Sequence, residues 1–265
     1  MRRFDEERDA ERPGPPLTLG VDVGGTYVKA SVLDSRGQPV AEHTRLPTPK
    51  PATPQAVLDT IARLAGQLPS FHRIAVGFPG IVRGGTVVTA PNLATEHWAG
   101  FELIDALMRR FGAPARMLND AAVQGLGAVE GHGLECVITL GTGVGCALFR
   151  NRRLLLHLEL GQHACADLTY DQMIGQAALD VIGLQAWNIR VHHLIKTVGD
   201  LTCCDVLYVG GGNARKIICS LPPFVKIVDD ASGVTGGVRL WEPELDELFD
   251  NPPNARDRAE PKRSG

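Results

Sequence analysis

The sequence predicts an α/β protein of two lobes, each built on a mixed sheet. Two observations carry that prediction. The chain runs twice through one order of elements, three strands followed by alternating helices and strands, and each copy opens on a glycine-rich turn between short β-branched apolar runs. With 265 residues, 44% of them hydrophobic, the chain has enough apolar content for two cores.

In the first copy, strands are predicted over 17–23, 27–34 and 39–46, then a helix over about 54–68 and the strand Arg73–Phe78. A helix over 101–111 and the strand Ala115–Leu118 complete it, and a helix over Ala121–Glu130 leads into the second copy. There the strands are 134–140, 144–149 and 152–156, followed by helical segments between about 170 and 200 and the strand Asp205–Val209. A short helix at about 213–219, the strand Phe224–Val228 and a last helix to Trp241 close the unit. The predicted domains are an N-terminal lobe over 17–118 and a C-terminal lobe over 119–242, whose last helix is free to return to the first lobe. Residues 1–16 and 243–265, charged and Pro-rich, read as disordered tails.

Chemistry concentrates in the two turns, Asp22 to Thr26 (DVGGT) and Thr139 to Gly145 (TLGTGVG). Glycines at a hairpin tip bring backbone N–H groups close to a ligand and form an anion nest suited to phosphate. Neither turn is a Rossmann or Walker loop, because no helix follows the glycines and no Gly-Lys-Thr closes them. Each alone also reads as an ordinary hairpin, but two with matched flanks point to a phosphate site between the lobes. The phosphate contacts fall on Gly24, Gly25, Thr26, Gly141, Thr142 and Gly143. Lys29, on the outgoing strand, either joins them or faces solvent.

Composition narrows the partners. A net charge of −3 and a pI near 6.2 carry no polyanion-binding signature, so nucleic acid is not expected. All six cysteines fall in the second half without a C-x-x-C pair, which fits free thiols and a cytoplasmic compartment. The N-terminus lacks the apolar segment of a secretory signal, and no run reaches transmembrane length, so no membrane partner is expected.

Five motifs in order, Leu19 to Lys29 (LGVDVGGTYVK), Gly77 to Gly80 (GFPG), Asn119-Asp120, Leu140 to Gly145 (LGTGVG) and Glu159 to Gly161 (ELG), resemble the repressor, open reading frame and sugar kinase (ROK) family. The resemblance covers about residues 17–241 and is strongest to its bacterial polyphosphate glucokinases. It implies the duplicated actin-like, ribonuclease H-like sugar kinase fold with an interlobe cleft. It implies a kinase for the 6-hydroxyl of glucose or a related hexose, with polyphosphate or ATP as donor and Mg²⁺ as cofactor. In that reading Asp120 is the catalytic base, while Asn92, Asn119, Asp120, Glu159 and His163 bind the sugar. On the residues alone, Asn119 or Asp120 reads first as the cap of the following helix, and it is the resemblance that reverses this. Asp22 holds Mg²⁺ through water, or is a turn aspartate.

The resemblance extends to Gly211 and Gly212 in the run Tyr208 to Asn213 (YVGGGN), and to Gly233–Gly237, as an adenosine region. Arg150, Arg152, Arg153, Arg215 and Lys216 would line a track for a longer polyanion. Two departures stand out. Gln162 replaces the family's histidine in Glu-x-Gly-His, with His163 next in line to substitute, and this leaves a catalytically weak sugar or nucleotide sensor as the alternative. The family's zinc cluster has no counterpart beyond Cys165, so no zinc is expected. With 16 residues ahead of the first strand, a DNA-binding repressor is not expected, and a homodimer is open.

Overall fold

The structure is a computed structural model that describes residues 15–228 and 232–250. The expected tails over 1–14 and 251–265 lie outside the described residues.

The first lobe comprises β1 (Thr18–Val23), β2 (Tyr27–Leu33), β3 (Thr44–Pro47), α1 (Pro54–Ala65), β4 (Arg73–Phe78), the small hairpin β5 (Val82–Arg83) and β6 (Thr86–Val87), α2 (Thr95–Trp98), α3 (Leu103–Phe111) and β7 (Ala115–Asn119). Helix α4 (Asp120–Ala128) crosses to the second lobe. That lobe comprises β8 (Leu134–Leu140), β9 (Val144–Arg150), β10 (Arg153–Leu158), β11 (Ala164–Cys165), β12 (Leu168–Thr169), α5 (Tyr170–Ile174), α6 (Gln176–Thr202), β13 (Val206–Gly210) and β14 (Val225–Ile227). Helix α7 (Ser232–Thr235), 3-10 turns at Gly236–Trp241 and Pro243–Leu245, and α8 (Glu247–Asp250) end the described chain.

The duplication is explicit in the sheets. One has the order β3-β2-β1-β4-β7 and the other β10-β9-β8-β13-β14, each with its first three strands antiparallel and the rest parallel. β1 and β8 therefore occupy equivalent central places, and both glycine turns leave the carboxyl ends of those strands.

Local chemistry sets the element ends. Thr53 caps α1 by accepting from the Ala56 N–H, Pro54 takes the first helical position, and Val57, Leu58, Ile61, Leu64 and Ala65 form the buried stripe. The third strand is shorter than its prediction. Asp34 Oδ1 accepts from the N–H groups of Arg36 and Gln38, curling the chain into a turn, and Pro39 makes only an isolated bridge to Leu33. Helix α4 stops at Ala128, before the predicted Glu130, because the buried Glu135 carboxylate takes the N–H groups of Glu130 and Gly131. The expected helix at 213–219 is one 3-10 turn, Ala214–Lys216. Gly183, at φ 78°, breaks α6 into two helices.

Each lobe has its own core, and a third core joins them. In that junction Ala75 of β4 meets Ala121, Val123 and Leu126 of α4, Val137, Ala147 and Phe149 of the second sheet, and Leu240 and Leu245 from the end of the chain. The closing segment packs on residues of the first lobe: Val234 and Val238 cluster with Leu33, and the Leu240 carbonyl accepts from Arg116 at 2.7 Å. A Cβ on Gly236 would fall 2.0 Å from the Val123 carbonyl oxygen, so only glycine allows this segment against α4. The expected tail from 243 is corrected as far as residue 250. Leu245 is buried, Asp246 pairs with Arg116 at 2.8 Å, and the Phe249 ring lies 4.6 Å under the same guanidinium. Two apolar anchors hidden among charges make that difference.

Candidate active site

The two glycine turns face each other across a cleft of about 450 Å³ between the lobes. They touch: the Thr26 and Thr142 hydroxyls are 3.2 Å apart, sharing a hydrogen bond. A Cβ on Gly25 would come within 3.1 Å of Thr142 Cγ2 and 3.4 Å of Asn92 Cβ, so a side chain there crowds the facing turn.

Each turn is braced from behind. Thr48 donates its hydroxyl to the Gly24 carbonyl at 2.6 Å and its N–H to the Thr26 carbonyl at 2.9 Å. The Gly141 carbonyl accepts from the Gln176 N–H at 2.9 Å and from Asn213 Nδ2 at 3.2 Å. Among the described residues, no protein acceptor takes the N–H groups of Gly25, Thr26, Thr142 or Gly143. These donors line the cleft from both lobes, beside the hydrogen-bonded hydroxyl pair, and are the groups from which an anion nest is made.

Asp120 stands at the first position of α4, where the β7 strand ends beside the cleft. The cap itself is Asn119, whose Oδ1 accepts from the Ala121 N–H at 2.9 Å and the Ala122 N–H at 3.4 Å. Its Nδ2 donates to the Gly80 carbonyl at 3.2 Å. Asn119 thus caps the helix while it also lines the cleft, and Asp120 Oδ1 shares the Ala121 N–H at 2.8 Å. Burial above all, then the charges of Asp22 and Glu159, push the Asp120 carboxyl up to about 7, against the smaller opposing effect of the Ala121 N–H.

Around it, Asp22 lies 3.7 Å from Lys29, its register partner across the hairpin, and both line the cleft, so Lys29 is not on a solvent face. Glu159 lines the cleft with Oε1 3.5 Å from His157 Nε2. Asn92, Gly211 and Gly212 line it as well.

Three expectations are not met by this geometry. His163 is absent from the cleft wall, whereas Gln162 is on it. The 3-10 turn Leu160–Gln162 points the two in different directions, and the His163 ring lies over Tyr170, 6.3 Å away. Gly236 and Gly237 pack against α4 and Ala75, outside the cleft. The basic residues do not form one track: Lys216 donates to Gln176 near the cleft, while Arg150, Arg152 and Arg153 stand at the other end of β9.

Sequence reasoning missed several cleft residues, Arg45, Gln124, Gln176, Asn213 and above all Asp171. Asp171 accepts from the Val144 N–H at 2.6 Å and from Gln162 Nε2 at 2.7 Å, tying the second turn to the Glu159–Gln162 segment. Burial raises its carboxyl above the usual aspartate range, with the Glu159 charge a smaller contribution. Its neighbours Thr169 and Gln172 form a capping box, and that helix-start signature made Asp171 look like helix-start chemistry alone.

Among the described residues, no three His, Cys, Asp or Glu side chains come together to hold a metal ion, and no helix is long and apolar enough to cross a membrane. A single carboxylate such as Asp22 beside an anion nest is the donor set Mg²⁺ uses with phosphates, and it fits that ion.

Comparison with known proteins agrees with the architecture. The chain is 29% identical over 232 residues to a polyphosphate glucokinase of Mycobacterium leprae, covering 80% of this chain and 71% of that one. It is 30% identical over 220 residues to a polyphosphate glucokinase of Mycobacterium tuberculosis H37Rv, covering 78% and 83%. The crystal structure of an inorganic polyphosphate/ATP-glucomannokinase from Arthrobacter sp. strain KM superposes with a TM-score of 0.77 at 28% identity, over 84% of this chain and 97% of that one. The sequence profile of the ROK family matches residues 18–163, and the chain belongs to that family.

Proposed function

We propose that this protein is a hexose kinase that transfers a phosphoryl group to the 6-hydroxyl of glucose or a close relative, with polyphosphate or ATP as donor. The observation that carries the proposal is Asp120, a carboxyl raised to about 7 in the same cleft as an anion nest built from both lobes. A base poised near neutral pH matches its task.

In this reading Asp120 takes the proton of the sugar's primary hydroxyl as the oxygen bonds to the terminal phosphorus. The bond from phosphorus to the bridging oxygen breaks, and the shortened donor keeps the electron pair. The N–H groups of Gly25, Thr26, Thr142 and Gly143, with the one hydroxyl proton that the Thr26–Thr142 bond leaves free, hold the donor's anionic oxygens. Asp22 would hold Mg²⁺ through water, and the ion supplies neutralisation of the donor charge. Asn92, Asn119 and Glu159 offer groups to the sugar hydroxyls. Gln162 takes the place expected of His163; with its amide nitrogen given to Asp171, its oxygen is left as an acceptor.

The test is purified protein with Mg²⁺, a panel of hexoses, and polyphosphate or ATP in parallel. Wild type should form the sugar 6-phosphate and Asp120→Asn should lose nearly all turnover. The bond between Gln162 and Asp171 favours one competing reading, a sugar-binding sensor, which prevails if wild type binds glucose yet turns over no better than Asp120→Asn.

A further inference from the structure

The molecule has a second cavity, about 540 Å³, on the side away from the cleft. β1 runs toward the cleft and β2 returns, so the turn 34–38 lies at the far end of that hairpin, beside Arg73, which pairs in register with Thr18. β9 likewise leads from the second glycine turn to Arg150 and then Arg152. Strands of this length set the cavity roughly 20 Å from the glycine turns. It is therefore separate from the donor and sugar sites.

Its wall is cationic. Arg36 comes from the β2–β3 turn of the first lobe, Arg73 from the start of β4, Arg152 from the β9–β10 turn of the second lobe, and Arg239 from the closing segment. Glu242, the one acid among the described residues of the wall, is held by Arg239 through two bonds of 2.9 and 3.0 Å. Asp34, on the same turn as Arg36, has Oδ1 committed to backbone N–H groups. No ion pair among the described residues engages Arg36, Arg73 or Arg152.

Arg73 is pinned rather than free to swing away. Its Nε donates to Thr18 Oγ1 at 2.8 Å and its guanidinium lies 5.1 Å from the Trp241 ring centroid. Burial and the neighbouring Arg116 hold it below the usual arginine range. Gathering four guanidinium groups around one carboxylate costs repulsion, which a bound anion offsets. Phosphate oxygens match the planar fork of arginine, and the volume suits a small ligand.

We propose that this cavity is a second anion site, which takes a phosphate-bearing ligand, either a short oligophosphate or a sugar phosphate ester, and ties the β2–β3 turn of one lobe to the β9–β10 turn of the other. The emission of Trp241 reports it, since Trp98 and Trp187 are fully buried elsewhere. The experiment titrates the full chain with inorganic tripolyphosphate and, separately, with glucose 6-phosphate at matched ionic strength, read by tryptophan fluorescence and by calorimetric stoichiometry.

Arg36→Gln/Arg152→Gln replaces two exposed side chains and should fold normally. A saturable change in Trp241 emission on adding either ligand to wild type, weakened tenfold or more in a double variant that keeps the wild-type melting temperature, supports the proposal. The ligand that binds identifies the source. Wild-type affinity in the double variant, or no saturable response to either ligand, overturns it. Trp241 lies on this cavity and not on the cleft, so ligand taken up by the cleft adds to the calorimetric stoichiometry without moving Trp241 emission, and the kinase reading stands or falls on turnover alone.

Discussion

The hydroxyls of Thr26 and Thr142 lie 3.2 Å apart, so two turns separated by more than a hundred residues meet in one hydrogen bond. That contact makes a single anion nest of two hairpins. It also crowds any side chain on Gly25, the basis of the first prediction. Gly25→Val should force the turns apart and raise the KM for the phosphoryl donor at least ~10-fold, because positioning is most of what phosphoryl transfer asks of a protein. The melting temperature should change by no more than about 3 °C, since the site is at the surface of the cleft.

Asp120→Asn keeps the shape of the side chain and removes its basicity. Turnover should fall by about 10²- to 10⁴-fold, the usual worth of a general base. Calorimetry with glucose should give a dissociation constant close to wild type. A large loss of sugar affinity with turnover retained would assign Asp120 to binding instead.

The Asp120 carboxyl sits at about 7, so it is neutral in mild acid and becomes a base as pH rises. kcat/KM should climb through that value. Glu159→Gln removes one of the negative charges that raise it, and the rising limb should move to lower pH. The same shift bears on stability: the folded value stands above the unfolded 3.8, so Asp120 favours the fold less as pH climbs from about 4 to 7. Equilibrium unfolding of Asp120→Asn should lack that contribution to the slope.

Asp171→Ala strips the acceptor from the Val144 N–H and from Gln162. The expected loss is about 1–3 kcal/mol in denaturant unfolding, the cost of a donor left unpaired. The KM values for donor and hexose should rise together, since one carboxylate braces both walls. Asp171→Asn, which retains an acceptor oxygen, should recover part of each effect.

Gly236→Ala places a methyl group 2.0 Å from the Val123 carbonyl oxygen and 2.8 Å from the Gly127 nitrogen, both backbone atoms that cannot yield cheaply. Thermal unfolding should show destabilisation of about 3 kcal/mol, far more than alanine costs at an exposed glycine.

Periodicity made the repeated element order and both glycine turns legible, because strand alternation and turn glycines are local signals. Asp22, Asn92, Asn119, Asp120 and Glu159 could be singled out for the same reason, through short motifs in a known order, and all line the cleft. Asp171 could not, since its partners Val144 and Gln162 lie 27 and 9 residues away and its own neighbourhood is a capping box. The choice between Gln162 and His163 depended on one 3-10 turn, which no pattern of apolar residues encodes.

The sequence by itself determined the duplicated α/β order, the family and the places of the two glycine turns, because each of these is written in spacing along the chain. Only the tertiary structure decided that Thr26 meets Thr142, that Leu245 is buried, and that Arg36, Arg73 and Arg152 converge on one cavity. Those relationships depend on how the two sheets are set against α4. Burial and proximity of like charges, which lift Asp120 toward neutrality, come into being only when the lobes close on a common core.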